Sequence, residues 1–166
     1  MIRAIVGAAA LALTFATHAQ TDERKALAFE AVERNAESIA TIGDRLYYYA
    51  ELGMQEQESA KFLKQTLEAI GFKVELGGAG FPTNVWARWS NGGGSGKPHI
   101  VIVSEIDALP EGSQTPGSIE RKPLLKGAPG HMEGHNTHGA VAVGAAYAVK
   151  RVMERYKLPE IGRAHV

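Results

Sequence analysis

Glu105 and Asp107 stand two residues apart where a continuous, mainly apolar run, His99–Ile106, gives way to Ala108-Leu109-Pro110. In extended backbone that spacing sends both carboxylates to one face. Like charges at the end of an apolar strand repel, so they need a cation, a proton or a shell of hydrogen bonds. The bland alternative is that they cap the strand in solvent. A second cluster, Gly130-His131-Met132-Glu133-Gly134-His135-Asn136-Thr137-His138, gathers three of the chain's 6 histidines and a carboxylate. Glu133 and His135 are again two apart, on either side of Gly134. Neutral imidazole and carboxylate are zinc ligands and also suit manganese or cobalt. A helix opening here, capped by Asn136 or Thr137, points its positive end at the same place and favours hydroxide or a substrate carboxylate. A solvated histidine-rich loop is the competing reading. The density of the cluster, taken with the paired carboxylates, outweighs it.

The elements that must position these groups follow from periodicity. Residues 21–51 place apolar side chains at three- and four-residue intervals, with acids near the start, which predicts one long amphipathic helix ended by Ala50-Glu51-Leu52-Gly53. Gln57–Ile70 predicts a second helix, with Gly71 where a left-handed cap belongs. Phe72–Leu76 and Asn84–Trp89 read as short strands on either side of a glycine turn at 77–80. The tract Gly92-Gly93-Gly94-Ser95-Gly96 lacks the Lys-Ser/Thr of a phosphate-binding loop and reads as a hairpin connection. His99–Ile106 has the pattern of a strand buried on both faces. A loop from Asp107 to Asn136 then leads into a helix over Thr137–Tyr156. A loop of that length in a compact domain usually carries function. Small residues at Gly139, Ala140, Gly144 and Ala146 let another element approach that helix closely. The order is helix, helix, three strands, helix, the opening of an α/β domain, with no strand expected after Pro159.

Composition narrows the chemistry further. The 166 residues balance 18 Lys and Arg against 18 Asp and Glu, so no field recruits nucleic acid or anionic lipid. There is no cysteine, which removes thiol nucleophiles, iron–sulfur clusters and thiolate metal sites together. At the start, Met1-Ile2-Arg3, the apolar stretch Ala4–Phe15 and Thr17-His18-Ala19 have the three parts of a secretory signal. As a helix the apolar stretch spans roughly 18 Å, too short for a bilayer core of about 30 Å. The expectation is cleavage after Ala19, export to a periplasm or the medium, and no membrane association afterwards. At the other end, Glu160–Val166 resembles a translated sequencing adapter, so residues 160–166 are expected to be a non-native tail on the N-terminal fragment of a longer gene.

Four segments carry a family resemblance: Leu46–Gly53 with Glu56–Ser59, Leu67–Val74, Asp107–Pro110 and Gly130–Asn136. Together they make the chain similar to the dinuclear-metal amidohydrolases of metallopeptidase family 20, nearest the aminobenzoyl-glutamate hydrolase-like branch, from about residue 25 to Pro159. The last two motifs are specific in combination. The resemblance implies an α/β fold for residues 20–159: the N-terminal part of a zinc-peptidase-like catalytic domain with helices packed on a mixed sheet, lacking its remainder and a lid domain. It implies two divalent ions, zinc first and manganese or cobalt as alternatives. Residue by residue, it gives Asp107 the role of orienting a metal-bound histidine or the catalytic glutamate, and His135 that of a metal ligand. Glu133 stands where many relatives have a ligating cysteine and others a bridging aspartate, and reads as a carboxylate bridge. Glu105 stands where peptidase branches have a histidine ligand, a weaker match. His138 is expected to pack behind the ligands, and His131 to stand in the outer shell around them.

The implied activity is metal-dependent hydrolysis of an amide in an N-acyl amino acid or small peptide-like substrate. The general base and further ligands are expected beyond residue 160, which makes this polypeptide catalytically incomplete as written. The full-length protein is expected to form a homodimer through the lid. A non-catalytic periplasmic relative that binds metal or peptide is the alternative, and carboxypeptidase or dipeptidase activity shares the same chemistry.

Overall fold

The computed structural model describes residues 23–91, 99–158 and 161–165. The expected leader at 1–19 and the tract Gly92–Gly96 lie outside these. Among the described residues no helix is long and apolar enough to cross a membrane.

The expected single helix at 21–51 is two, α1 (23–33) and α2 (Ala36–Tyr49). Asn35 makes the break. Its side-chain amide donates to the Ala31 carbonyl at 2.8 Å, and its own N–H reaches Val32 O at 3.0 Å, three residues back. A short polar side chain that bonds to local backbone competes with the helical ladder, and apolar periodicity does not register that competition. Ala50, at φ 44°, closes α2 by donating its N–H to Leu46 O. The next segment has two attachments. The Glu51 carboxylate accepts from the backbone N–H groups of Glu58 and Ser59 and from the Ser59 hydroxyl, which caps α3 (Gln57–Ala69). Its carbonyl accepts the Ala108 N–H at 2.7 Å, which ties the residue after Asp107 to the start of α3. Gly71 ends α3 in the left-handed region at φ 88°, as its position predicts, with Phe72 N–H returning to Leu67 O.

The sheet is mixed. Strands β1 (Lys73–Leu76), β2 (Val85–Ser90), β3 (His99–Val103) and β4 (Ile161–His165) lie in the order β1-β2-β4-β3. The β1–β2 and β2–β4 pairs are antiparallel and β3–β4 is parallel. Helix α4 (His135–Tyr156) makes the connection between the two parallel strands. The expectation that no strand follows Pro159 is corrected: Ile161–His165 runs between β2 and β3 and pairs with both.

Leu46, Leu63, Leu67, Val85 and Ala87 are fully buried in one core shared by α2, α3, α4 and the sheet. Burying side chains of this size is the main favourable term for the fold. The anticipated close approach to α4 falls at α2. A Cβ at Gly139 would lie 2.7 Å from Leu46 Cδ1, and the buried Asn136 amide donates to Gly43 O at 3.2 Å. β3 departs from the double burial its apolar run suggests. Among the described residues it is an outer strand, with Ile102 against the core and Val101 and Val103 54% and 72% exposed on the other face.

Candidate metal centre

Asp107 lies four residues beyond the end of β3, and His135 opens α4, so two distant stretches must be folded against each other. The intervening loop does this with backbone. Leu109 and Gly130 exchange both of their N–H···O bonds at 3.0 and 3.1 Å, and Ser113 N–H reaches Ala128 O. Gly112 and Gly130 sit so close that a Cβ on Gly130 would lie 2.2 Å from Gly112 O. Arg121 clips the outer part of the loop, donating from Nη1 to Ser113 O and from Nη2 to Glu111 O. Gly134, at φ 89°, makes the sharp turn into α4 and is its N-cap, a place anticipated for Asn136 or Thr137. Thr137 donates its hydroxyl back to Gly134 O, while Asn136 faces inward to α2.

The result is a cluster centred on His135, whose side chain is 14% exposed. Its Nδ1 is 2.9 Å from Asp107 Oδ1. A carboxylate accepts here, so Nδ1 carries the proton and Nε2 presents its lone pair. Nε2 faces Glu105 Oε2 at 3.3 Å and Glu133 Oε2 at 3.4 Å. A lone pair set against two carboxylate oxygens is repulsive unless a cation lies among them, either a second ring proton or a metal ion. Two donors each about 2.1 Å from a tetrahedral ion stand about 3.4 Å apart, so the spacing fits a metal. His138 adds another nitrogen. One donor atom each from Glu105, His135 and His138 lie within 4.8 Å of one another. Three carboxylates, Glu105, Asp107 and Glu133, converge on one imidazole, a surplus of negative charge that suits more than one divalent ion.

The structure therefore brings together all four residues singled out from the sequence: Glu105, Asp107, Glu133 and His135. Glu105 is as well placed for a ligand as Glu133. His138 faces the donors rather than packing behind them, with its ring centroid 5.4 Å from that of His135. The signal for it was present, because His135 and His138 are i,i+3 on one helix and share a face. His131 lies behind the donors, within electrostatic reach of His135 and Asp107. Its Nε2–H donates to Leu46 O at 3.0 Å, and Nδ1 is buried with no partner among the described residues. Burial holds its pKa below the ordinary imidazole value, against the opposing pull of that bond, so it stays neutral at neutral pH.

A carboxylate-oriented histidine with further carboxylate and imidazole donors at the rim of a mixed sheet is an arrangement that could hold divalent metal ions. No family model matches the chain. It is 34% identical over 127 residues to one of the subunits of p-aminobenzoyl-glutamate hydrolase from Escherichia coli, covering 76% of this chain and 26% of the relative. It is 35% identical over 109 residues to thermostable carboxypeptidase 1 of Saccharolobus solfataricus, covering 66% and 26%. A Bacillus subtilis dinuclear metal-binding peptidase of the M20 family superposes with a TM-score of 0.63 at 25% identity, over 80% of this chain and 35% of that one. The chain spans about a quarter of the length of these curated relatives. Over that stretch it belongs to the M20 family of metallopeptidases and amidohydrolases.

Proposed function

We propose that the chain carries part of the centre of a metal-dependent hydrolase that cleaves the amide bond of an N-acyl amino acid or small peptide-like substrate. The observation that carries the reading is His135, held through Nδ1 by Asp107 while Nε2 faces the Glu105 and Glu133 carboxylates. Glu105, Glu133, His135 and His138 would hold the ions, with zinc expected first and manganese or cobalt also suited. Bound there, divalent ions lower the pKa of water and polarise a carbonyl oxygen. Asp107 fixes the tautomer and the aim of the imidazole, and the α4 N-terminus adds its positive end toward an anionic group. The name of the Escherichia coli hydrolase makes an N-acylated glutamate the substrate to try first.

Glu105 and Glu133 are 70% and 60% exposed, so water reaches the donors freely. That openness accords with a second reading, in which the polypeptide binds metal or peptide without turning it over. It also accords with a centre completed by a general base and ligands beyond residue 160, and a full-length homodimer is part of this proposal. One experiment separates these. The full-length gene product, with whatever the gene encodes beyond residue 160, is titrated with Zn2+ and Mn2+ and assayed for amine release from p-aminobenzoyl-glutamate, alongside Asp107→Asn. We expect stoichiometric binding, weakened about 10–100-fold in Asp107→Asn because the imidazole loses its anionic partner. Metal-dependent turnover supports the hydrolase, binding without turnover the second reading, and the absence of binding overturns both.

The proposal includes export. Mass spectrometry of the protein from the periplasm or medium of a bacterial host should find Gln20 as its first residue, and an intact Met1 on the secreted protein would contradict cleavage after Ala19.

A further inference from the structure

Resting on the metal-centre reading above, we infer that Glu51 is a positioning residue for that centre: its carboxylate anchors the segment Glu51–Gly53 to α3, and the segment in turn holds Asp107 against His135. Glu51 itself bonds to none of the donors, so it acts only through Asp107. The segment is held from two sides. On one, the Glu51 carboxylate accepts the backbone N–H groups of Glu58 and Ser59, each at 2.9 Å, and the Ser59 hydroxyl at 2.7 Å. On the other, the Glu51 carbonyl accepts Ala108 N–H at 2.7 Å, and Leu52 forms a parallel bridge with Ala108. Gly53 then lies along the Asp107 side chain: a Cβ there would stand 3.7 Å from Oδ2 and 3.9 Å from Cβ. The other oxygen, Oδ1, is the one 2.9 Å from His135 Nδ1. The Asp107 carboxylate therefore stands between the ring that it orients and the segment that backs it. Every contact of the segment has both partners between residues 51 and 108.

Helix capping alone does not account for this arrangement. Glu56, in the N-cap position of α3, makes no cap bond, and its carboxylate accepts the Thr83 hydroxyl instead. The carboxylate that does cap α3 belongs to Glu51, 7 and 8 residues before the N–H groups it accepts, so it closes a loop as well as a helix. The segment is also bounded by left-handed backbone at Ala50 (φ 44°) and Met54 (φ 69°), neither of them glycine. Such conformations persist only where the surroundings over-determine them. Three hydrogen bonds to one carboxylate supply that restraint, and bonds to a charged acceptor are the stronger kind. Without them the backbone is free to relax at 50 and 54, and Asp107 loses its backing.

The test is a double-mutant cycle in the full-length gene product, with Glu51→Ala, Asp107→Asn and the two combined. Zn2+ affinity is measured by competition with a chromophoric chelator. The metal-free protein is also examined for the far-downfield proton signal of His135 Nδ1–H, assigned by its loss in Asp107→Asn. Glu51→Ala should weaken Zn2+ binding about tenfold and broaden or remove that signal, with the helices retained by circular dichroism. In the Asp107→Asn background the same change should cost less than about twofold, because the partner through which Glu51 acts is already gone. Glu51→Gln keeps one acceptor oxygen for the α3 N–H groups and should fall between Glu51→Ala and the unmodified protein. If Glu51→Ala does not fold, Glu51→Gln takes its place in the cycle, with the same failure to add expected. An equal loss of affinity in both backgrounds, or an unaltered proton signal, would make Glu51 a helix cap and nothing more, and the inference fails alone. If the unmodified protein binds no Zn2+, the metal-centre reading fails, and the proton signal by itself decides whether Glu51 positions Asp107.

Discussion

Replacing His135 with alanine should weaken divalent-ion binding by about a hundredfold or more, close to 3 kcal/mol of binding free energy. Glu105, Asp107 and Glu133 all meet this one ring, and it is far less exposed than the two glutamates. Its removal takes away a donor and also leaves three carboxylates facing one another with nothing between them. Glu105→Gln should cost less, because a carboxylate 70% exposed is easily replaced by water. Equilibrium dialysis on the two variants checks the ranking, with circular dichroism to confirm that α4 is intact. Tight stoichiometric binding by His135→Ala would show that the imidazole is not the hub of the centre.

Gly130→Ala carries the largest expected effect on the fold. The new methyl group would lie 2.2 Å from Gly112 O, 2.3 Å from Gly112 C and 2.6 Å from Ser113 N. All three are backbone atoms, so no rotamer change relieves the overlap, and the Leu109–Gly130 pairing must open. A cost of about 3 kcal/mol or more is expected, a fall in thermal midpoint of roughly 6–12 °C for a chain of this size. Because Glu133 and His135 follow directly on Gly130, ion affinity should fall in the same variant. Gly43→Ala is the contrast: its Cβ would meet only ordinary contacts, 3.6 Å from Ala140 Cβ, so the midpoint should move little. Comparable midpoints for the two variants would show that the loop has slack that the close glycine contact denies.

Much of this is readable from residue types and spacing because the cues are local. The stripe of Leu63 and Leu67, the left-handed Gly71 and the period change at Phe72 place α3, β1 and β2 to within a residue or two. The i,i+2 pairs at 105/107 and 133/135 announce the donors. What escapes depends on partners distant in sequence or on side chains that bond to backbone. Asn35 splits a helix whose apolar pattern runs straight through it. β3 reads as doubly buried, whereas among the described residues, a stretch about a quarter of its relatives' length, it pairs along one edge only and Val101 and Val103 are exposed. Asn136 has the composition of a cap, yet its amide is taken by Gly43 O on another helix, which leaves the cap to Gly134. His138 reads as background in the family pattern, where His135 is the prominent residue, although helical geometry puts both on one face.

The donors come from two strips of backbone, the end of β3 and the start of α4, joined by the long loop between Asp107 and His135. An ion held by Glu105 on one strip and His135 on the other is a clasp across that loop. It engages only when the chain is folded, so its free energy of binding adds to the free energy of folding, by about 2.7 kcal/mol when the ion stands at a hundred times its dissociation constant. The ambient supply of divalent cations would thereby set how firmly this polypeptide holds its shape, independently of whether it ever turns over a substrate.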